Sequence, residues 1–488
     1  MKIQTINNLC CPFCSGPLRV KEVTQENEHG VHFGLVKCRS CQLNYPVVAG
    51  ILILGSPSEQ INVWDEVSDN PILNGVELRK LCDLLSEKRN VEAFSLLLTP
   101  AGRGNLLFRP IHQTSTAMAQ DVEILRPCRE KKSRVPLRIQ WILNRLSCGR
   151  LQQSCQYQLA DFILRHAKDL AATDVIRLFY GDFSCSEMAN YFTFRFGQPR
   201  HLAALAIASI IKERSGPVLD LACGMGHLTH YFAWGEEYQR QVVGVDRDYF
   251  RLYVAKNFMV PEADFICQWV DRPLPFPSLS FDSIFCSDAF HYFLNKAGSL
   301  REMKRVLASN GLIAITRFGN LEQTPNEGYE LTAEDYDRLF GDMKHILLGE
   351  DELIEGYLKK RKANLELREI SKELREQKWL SVVMSNEDNL FCNQGCFSEY
   401  PHGMGHLIKN PIYSSKQKAS SNRLNLKFEF PSEHYAFEDQ KYQSYTLNKL
   451  DISPEVLSSL NSGMRINDLQ DLVEKFVLIG VPKKFIPT

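Results

Sequence analysis

The chain has 488 residues, of which 44% are hydrophobic and 24% charged, and its formal net charge is -1 at pH 7. This length exceeds one ordinary hydrophobic core and predicts about two to four modules. The near-neutral charge argues against a surface built to neutralise nucleic-acid phosphates, and no apolar run is long enough to span a bilayer. Because several of the 15 cysteines fall within predicted core strands, we expect a cytoplasmic protein without disulfides.

Two pairs of cysteines stand near the start of the sequence, Cys11-Pro-Phe-Cys14 and Cys38-Arg-Ser-Cys41. Each pair forms a tight turn that presents two thiolates, and two such turns complete a tetrahedral zinc site. The spacing therefore predicts a structural zinc, for which Cys10 is an alternative ligand to Cys11. A redox-active pair would need a single CxxC at the start of a helix in a thioredoxin-like pattern, which is absent here.

An apolar stretch interrupted by Gly50 follows the second cysteine pair. Together with the cysteines, residues 9–54 resemble the small zinc-ribbon activator proteins that bind and stabilise tRNA and ribosomal methyltransferases. The resemblance implies a zinc ribbon over residues 1–56 that packs against its own enzyme and stabilises it. It does not by itself imply RNA substrates, because function belongs to sites and not to folds.

Residues 57–199 are predicted to form a mainly helical linker or lid region, because apolar residues recur at spacings of three and four. A basic cluster at 126–138 lacks interleaved aromatic residues, which favours a solvated loop. The aromatic segment 191–200 precedes a strongly apolar predicted helix, 201–211. Two interpretations fit this segment: a lid over cofactor and acceptor, or a helix packed on the sheet.

The segment 216–246 has the pattern of a strand, a glycine turn, a helix and a second strand that ends in a carboxylate. Gly224 and Gly226 let the backbone turn tightly and approach a ligand, and the helix presents its free N–H groups there. Asp246 can accept hydrogen bonds from both hydroxyls of a ribose. Because Thr229 stands where a dinucleotide fingerprint has its third glycine, a nucleoside cofactor without phosphates fits better.

Further strands are predicted at 265–271, which ends in Asp271, and at 283–287 and 312–316. Downstream, the pattern predicts a helix from 333 that Thr332 can cap, a charged helix over 351–378 and a last antiparallel strand at 379–384. Strands that alternate with helices in this way are typical of an α/β fold with a mainly parallel sheet.

The order of these motifs, over at least residues 216–320, resembles the class I S-adenosylmethionine-dependent methyltransferases, in particular the small-molecule type that includes the ubiquinone-biosynthesis C-methyltransferases. The resemblance implies a Rossmann-like seven-stranded methyltransferase sheet over residues 200–387, followed by a C-terminal α+β extension. It places Asp246 at the ribose, Asp271 beside the adenine and the Ser287–Asp288 corner at the methionine moiety. The full set of implied cofactor contacts is Asp220, Ala222, Cys223, Gly224, Gly226, Asp246, Arg247, Asp271, Ser287 and Asp288.

His291 lies beyond the fourth strand, at the carboxyl edge where ligands bind in such sheets. Methyl transfer requires alignment of the nucleophile with the S–CH3 bond, and a base only where the acceptor keeps its proton at neutral pH. His291 is therefore the candidate catalytic residue, as a base or an acceptor contact. The alternative is a hydrogen-bonded structural histidine. Arg317, after the fifth strand, is a candidate anchor for an anionic acceptor.

Residues 388–488 are predicted to form an extension with a small helical or winged-helix-like end. Four residues with metal-capable side chains lie close together near its start, although glycines between the histidines disfavour a zinc-binding helix face. A loop is the preferred interpretation, and a second metal site is the alternative. These residues are Cys392, Cys396, His402 and His406.

The leading functional hypothesis is transfer of the sulfonium methyl group of S-adenosylmethionine to a small or medium-sized acceptor, a small molecule or a peptide, in specialised metabolism. The first alternative is an RNA base methyltransferase acting on rRNA or tRNA, since ribosomal guanine methyltransferases also carry an amino-terminal zinc module. Near-neutral charge makes nucleic acid the less expected partner. The second alternative is a non-catalytic scaffold that retains the fold, against which the intact Asp220, Gly224, Gly226 and Asp246 count.

Overall fold

The computed structural model describes residues 1–57, 60–62, 75–98, 150–180, 187–234, 240–323, 328–394, 405–417, 424–430, 443–453 and 469–487. The strands in chain order are β1 (Leu18–Asn27), β2 (Gly30–Cys38), β3 (Asn44–Val48), β4 (Ile51–Ile53), β5 (Gln60–Asn62), β6 (Gly75–Glu77), β7 (Val218–Leu221), β8 (Val242–Asp246), β9 (Asp264–Cys267), β10 (Phe281–Ser287), β11 (Leu307–Gly319), β12 (His345–Gly349), β13 (Ala363–Asn364), β14 (Trp379–Ser385), β15 (Asn393–Gln394), β16 (His406–Lys409), β17 (Tyr413–Gln417), β18 (Leu424–Phe428), β19 (Lys449–Ile452) and β20 (Leu478–Val481).

The described α-helices surround these strands. In chain order they are α1 (Ile3–Asn7), α2 (Leu78–Ser86), α3 (Asn90–Leu97), α4 (Arg150–Arg165), α5 (Ala172–Tyr180), α6 (Glu187–Phe194), α7 (Pro199–Lys212), α8 (His227–Ala233), α9 (Tyr249–Val254), α10 (Lys296–Val306), α11 (Ala333–Phe340), α12 (Glu350–Glu355), α13 (Lys372–Arg375) and α14 (Gln470–Glu474). Among the described residues, none of the helices has the length and apolar character that a bilayer crossing requires.

An 11-stranded sheet forms the centre of the fold, in the order β1-β2-β3-β4-β9-β8-β7-β10-β11-β14-β12. From β4 to β11 neighbouring strands run parallel, and β14 lies antiparallel between β11 and β12. The central strands read as continuous apolar runs, as expected when both faces of a parallel sheet are covered. The predicted α/β fold with a Rossmann-like seven-stranded core sheet is confirmed.

The first four strands, β1 to β4, extend this core sheet; we call them the N-terminal meander. They pair antiparallel with one another, and β4 then pairs in parallel with β9, Leu52 opposite Ile266. A second link comes from helix α1, where the Thr5 hydroxyl and the backbone N–H of Lys2 donate to the buried Asp264 carboxylate. Hydrogen bonds therefore cross the domain boundary predicted near residue 56.

Two predicted elements end earlier than expected. The third core strand ends at Cys267, and the N–H of Gln268 makes the last hydrogen bond to β8, so Asp271 lies in the loop beyond the strand. The helix predicted over 351–378 begins as α12, continues as a π-helical turn from Gly356 and ends at Lys360, where Arg361 adopts positive φ. A Cβ on Gly356 would lie 2.4 Å from the carbonyl oxygen of Lys362.

Helix α7 lies against the core sheet and is buried along almost its whole length. Its first residue is Pro199, whose missing N–H costs nothing at that position. The predicted helix over 201–211 is thus confirmed with slightly wider bounds. The described part of residues 57–199 contains five helices and the short pair β5–β6, while the basic cluster at 126–138 lies outside the described residues.

The C-terminal extension contains strands as well as helix α14, namely the antiparallel pair β16–β20 and the three-stranded sheet β17-β18-β19. Its apolar cluster includes Phe194 from the end of α6 together with Ile412 and Val477. Further along the chain, the ring of Phe485 meets that of Phe196 at a centroid distance of 5.1 Å. The extension is therefore packed on the segment that precedes the core. Part of the predicted helical or winged-helix-like end, residues 454–468, falls outside the described residues.

Candidate active site

A cavity of about 550 Å³ lies at the carboxyl ends of the central parallel strands. This is the edge at which open α/β sheets bind ligands. Nine of the ten residues implied as cofactor contacts line it, and so do His291 and Arg317. Gly226 is not among the lining residues. It begins α8 in the left-handed region at φ 80°, and a Cβ there would lie 3.2 Å from the Cβ of Ala255.

The turn after β7 brings backbone donors to the cavity. Ala222 and Gly224 both adopt positive φ, and a Cβ on Gly224 would meet nothing within 4 Å. The N–H of Gly224 donates to one oxygen of Asp246 at 2.8 Å, and the N–H of Asp248 donates to the other at 2.9 Å. Because each carboxylate oxygen has a further acceptor site, Asp246 is fixed in place and can still bind two ligand hydroxyls.

Asp220 lies near the end of β7 and is almost completely buried. Burial raises the pKa of this carboxyl to about 7, and the nearby charge of Asp246 adds to the rise, while the hydroxyl and N–H of Thr229 oppose it. The hydroxyl of Thr229 donates to Asp220 Oδ2. Thr229 occupies the position of the third glycine in a dinucleotide-binding fingerprint, and here its side chain fixes the orientation of Asp220.

One end of the cavity has a planar aromatic surface. The guanidinium of Arg247 lies 4.7 Å from the centre of the Trp269 ring, and both line the cavity. Asp271 is close by and accepts from the N–H of Asn295 at 3.3 Å. We call this the cofactor end, because the residues implied for ribose and adenine are here. Trp269 was not identified from the sequence.

At the other end, three arginines surround Asp288. Its carboxylate accepts from Arg195 Nη2 at 2.9 Å, from Arg200 Nη1 at 3.0 Å and from Arg317 Nε at 3.0 Å. Burial alone would raise the pKa of the Asp288 carboxyl, but the positive charges of Arg200, Arg317 and Arg195 hold it well below its usual value. We call these four residues the arginine cluster, and this end of the cavity the acceptor end.

Arg317 is the most buried member of the cluster, with 2% of its side chain exposed. Its Nη1 donates to Glu350 at 2.6 Å, and its guanidinium lies 3.9 Å from the centre of the Trp379 ring. Arg317 thus joins Asp288 to Glu350 within the cavity wall, and its role as anchor of an anionic acceptor stays a prediction. Arg195 and Arg200 are more exposed, at 26% and 13% of their side chains.

The sequence did not single out Arg195 and Arg200 as partners of Asp288, although both fall in the aromatic segment 191–200. The only signal was a carboxylate directly after a core strand, which needs a countercharge when buried. The same segment contributes Tyr191 and Phe192 to the cavity wall. Since Phe194 instead packs on the C-terminal extension, the segment is a wall between the cavity and that extension.

His291 lines the acceptor end and is only 1% exposed. Burial lowers the pKa of its imidazole to about 4, and the opposing effect of the Asp288 charge is smaller. Its Nδ1 has no hydrogen-bond partner within the part of the chain that the structure describes. The ring is neutral at neutral pH.

The four cysteines of the two CxxC pairs meet at one point. Their sulfur atoms all lie within 4.8 Å of one another, with Cys11 and Cys41 3.7 Å apart and Cys14 and Cys38 3.5 Å apart. A tetrahedral zinc with bonds of about 2.3 Å separates its sulfurs by about 3.8 Å. The four-cysteine set therefore fits zinc, whereas Cys10 is not part of it.

The second candidate metal set cannot be assembled from the described residues. Cys392 and His406 lie in the described part of the chain, but Cys396 and His402 fall outside it. Cys392 is exposed and donates its thiol to the carbonyl of Asn389 at 3.4 Å. The second metal site stays an alternative from the sequence alone.

Comparison with protein families and curated proteins identifies the central part of the chain. Residues 212–375 match a family model described as a methyltransferase domain. The chain is 36% identical over 98 residues to the uncharacterized methyltransferase YcgJ of Bacillus subtilis. The matched region covers 19% of this chain and 37% of YcgJ. It is 28% identical over 144 residues to the ubiquinone/menaquinone biosynthesis C-methyltransferase UbiE of Burkholderia mallei, covering 28% of this chain and 56% of UbiE.

The chain thus spans less than two thirds of the length of either relative. Among solved structures, that of YcgJ from Bacillus subtilis superposes with a TM-score of 0.27 and 19% identity, covering 37% of this chain and 97% of YcgJ. The family match confirms the methyltransferase core expected from the sequence. The assignment of residues 1–56 as a zinc ribbon stays a prediction.

The buried Asp220 predicts an unusual pH dependence of stability. Its pKa is raised from 3.8 to about 7 in the folded state, so between these values the folded chain binds a proton that the unfolded chain releases. Stability should therefore fall as pH rises through this window. Relative to Asp220→Asn, the wild-type protein should lose about 2 to 3 kcal/mol of unfolding free energy between pH 5 and 8.

Urea unfolding at several pH values measures this difference. Asp342→Asn, which changes an exposed carboxylate, is the matched control, and its difference from wild type should stay constant with pH. A constant difference for Asp220→Asn as well would show that Asp220 is ionised throughout.

Proposed function

We propose that this chain, whose residues 212–375 form a class I S-adenosylmethionine-dependent methyltransferase domain, transfers a methyl group from that cofactor to a small or medium-sized acceptor. The observation that supports the proposal is the cavity at the strand ends, which gathers nine of the ten implied cofactor contacts. Its volume of about 550 Å³ lies in the range of small-molecule sites.

The cofactor end supplies the groups that a nucleoside with an amino-acid tail requires. Asp246 accepts from the ribose hydroxyls, and its position is set by the N–H groups of Gly224 and Asp248. Trp269 and Arg247 offer a flat surface for the adenine. The space in front of Gly224 is open and accommodates the amino-acid part of the cofactor close to the backbone. A side chain at this position would prevent so close an approach.

The acceptor end performs the positioning on which methyl transfer depends. When bound, S-adenosylmethionine supplies an electrophilic methyl group, and the electron pair of the broken carbon–sulfur bond stays on sulfur. Tyr191, Phe192 and Trp379 limit where an acceptor can lie and exclude water. His291, which lines this end of the cavity, accepts the proton that an acceptor hydroxyl or amine loses.

A second proposal concerns the four cysteines. We propose that Cys11, Cys14, Cys38 and Cys41 bind one structural zinc ion that holds the start of the N-terminal meander. The close set of four sulfurs supports it. The hydroxyl of Tyr45, 3.0 Å from Cys11 Sγ, can donate to a thiolate and orient it, as groups next to metal ligands commonly do.

Asp246→Ala tests the cofactor site. The substitution removes the acceptor for the ribose hydroxyls, and hydrogen bonds to charged groups contribute about 1.5–3 kcal/mol each. Binding of S-adenosylmethionine, measured by calorimetry, should weaken tenfold or more. Asp342→Ala, on the exposed surface, is the matched control and should bind normally. An unchanged dissociation constant in folded Asp246→Ala would remove the ribose assignment, and a preference for NAD would contradict the proposed function.

His291→Ala tests the proposed base. Cofactor affinity should stay within about twofold, while transfer of labelled methyl groups into a small-molecule extract should fall by roughly 10²–10⁴-fold, as is typical of lost proton transfer. The loss should shrink at high pH for an acceptor that ionises there. His29→Ala, outside the cavity, is the control. Lower stability with normal turnover of the folded fraction would make His291 a structural residue.

Cys38→Ser tests the zinc site. Metal-binding energy is also folding energy at such sites, so the variant should lose zinc and unfold at lower temperature. Elemental analysis of wild-type protein should give one zinc per chain. Cys392→Ser, at an exposed cysteine outside the four-sulfur set, should keep both zinc content and stability. Wild-type protein purified without zinc would contradict the proposal, and two zinc ions per chain would revive the second metal site.

A further inference from the structure

We propose that Lys296 is a positioning residue of the cavity, because its ammonium group fixes the short turn that brings His291 and Tyr292 to the cavity wall. We call residues 290–293 the His291 turn. The inference rests on the proposed methyl transfer and assigns a residue on which the shape of that site depends. Three observations support it: hydrogen bonds from the lysine to the turn, the burial of the lysine, and a second segment that binds the same carbonyl group.

The His291 turn contains one turn of 3₁₀ helix, Phe290–Tyr292, and ends at Phe293. Its residues His291, Tyr292 and Phe293 line the cavity. The last carbonyl groups of a helix have no partners within the helix itself. Because Phe290, His291 and Phe293 are buried, these carbonyls need donors from other parts of the chain.

Lys296, the first residue of α10, supplies such donors. Its Nζ donates to the carbonyl of Phe293 at 2.8 Å and to the carbonyl of His291 at 3.2 Å. The same nitrogen lies 5.6 Å from the centre of the Phe290 ring. One side chain therefore contacts the beginning, the middle and the end of the His291 turn.

The side chain of Lys296 is charged although the residue is only 7% exposed. Burial lowers the pKa of its ammonium to about 8, and the negative charges of Glu330 and Asp271 oppose this effect. At neutral pH the ammonium is therefore mostly protonated. Because a hydrogen bond from a charged donor is stronger than one between neutral groups, the lysine holds the two carbonyls more firmly than a neutral side chain would.

A second segment, residues 328–331, holds the His291 turn from another side. The N–H of Tyr329 donates to the carbonyl of His291 at 2.8 Å, so this carbonyl accepts from both Tyr329 and the lysine. Gly328 makes the close approach possible, because a Cβ there would lie 2.8 Å from the same carbonyl oxygen. The segment also carries Glu330, one of the two carboxylates that favour the charged lysine.

The His291 turn lies where a displacement would affect both ligands of the proposed reaction. It comes shortly after the Ser287–Asp288 corner, which is implied at the methionine moiety of the cofactor, and it carries His291, the proposed base. Without the hydrogen bonds of the lysine, the turn must be ordered when a ligand binds, which lowers affinity. Misplacing the reacting groups by about 1 Å is enough to lower turnover by about 100-fold.

Lys296→Met tests this role in the full chain, since methionine keeps the apolar stem and removes the ammonium. We expect S-adenosylhomocysteine, measured by isothermal titration calorimetry, to bind about tenfold more weakly. Transfer of labelled methyl groups into a small-molecule extract, at saturating S-adenosylmethionine, should fall by about 100-fold. Lys296→Arg should restore part of both, because it returns a charged donor.

Lys256→Met is the matched control. Lys256 is 2% exposed and its Nζ likewise donates to two backbone carbonyls, those of Pro261 and Ala263, but it is not one of the described residues that line the cavity. Both variants should unfold at a lower temperature, whereas only Lys296→Met should lose affinity and turnover. Normal affinity and turnover in folded Lys296→Met, or equal losses in both variants, would make Lys296 purely structural and overturn the inference.

Gly328→Ala is an independent test that leaves the lysine in place, and it serves also if Lys296→Met does not fold. The new Cβ displaces the carbonyl of His291, so affinity and turnover should fall as in Lys296→Met. Gly341→Ala, where the nearest atoms would lie 3.4 Å away, should behave as wild type. Normal binding and turnover in folded Gly328→Ala would show that the site tolerates movement of the turn, which also overturns the inference. Failure of wild-type protein to bind S-adenosylhomocysteine would instead overturn the proposed function.

Discussion

The rest of the site depends on the ion pairs of the buried Asp288 carboxylate. It joins the end of β10 to Arg317 at the end of β11 and to Arg195 and Arg200 from the segment before the core. Asp288 and Arg317 both adopt positive φ, which costs residues other than glycine roughly 1–3 kcal/mol each. Such conformations persist only where surrounding contacts fix them. Here the ion pairs fix them, so the cavity wall and the strand ends must form together.

The acceptor end is consequently built by parts of the chain that are far apart in sequence. The segment 187–197 contributes Tyr191 and Arg195 to the cavity, but its Phe194 belongs to the apolar cluster of the C-terminal extension. Phe485 reaches the same segment and packs on Phe196. The extension therefore supports the wall from behind. Its packing determines how rigidly the arginines are held, and pre-organised groups bind a ligand with less loss of entropy.

The pattern of apolar residues in short stretches of sequence was sufficient to predict the core strands, the glycine turn and Asp246. A buried strand and an amphipathic helix each have their own spacing of apolar residues, which can be recognised without knowledge of distant contacts. The pattern could not predict which strand covers the edge of β9, since the pairing of Leu52 with Ile266 joins positions more than two hundred residues apart. The same limit applies to Arg195 as partner of Asp288. A carboxylate after a strand signals the need for a countercharge, but the sequence does not say which arginine supplies it.

The pairing of β4 with β9 also connects the cysteine cluster to the cofactor end. The edge strand of the core, β9, pairs directly with β4 of the meander. The last hydrogen bond between them runs from the N–H of Leu54 to the carbonyl of Cys267, two residues before Trp269. Contacts that order the meander therefore order the start of the loop that holds Trp269 and Asp271. An interaction that stabilises the folded meander therefore also stabilises this loop, because the two share one set of backbone hydrogen bonds.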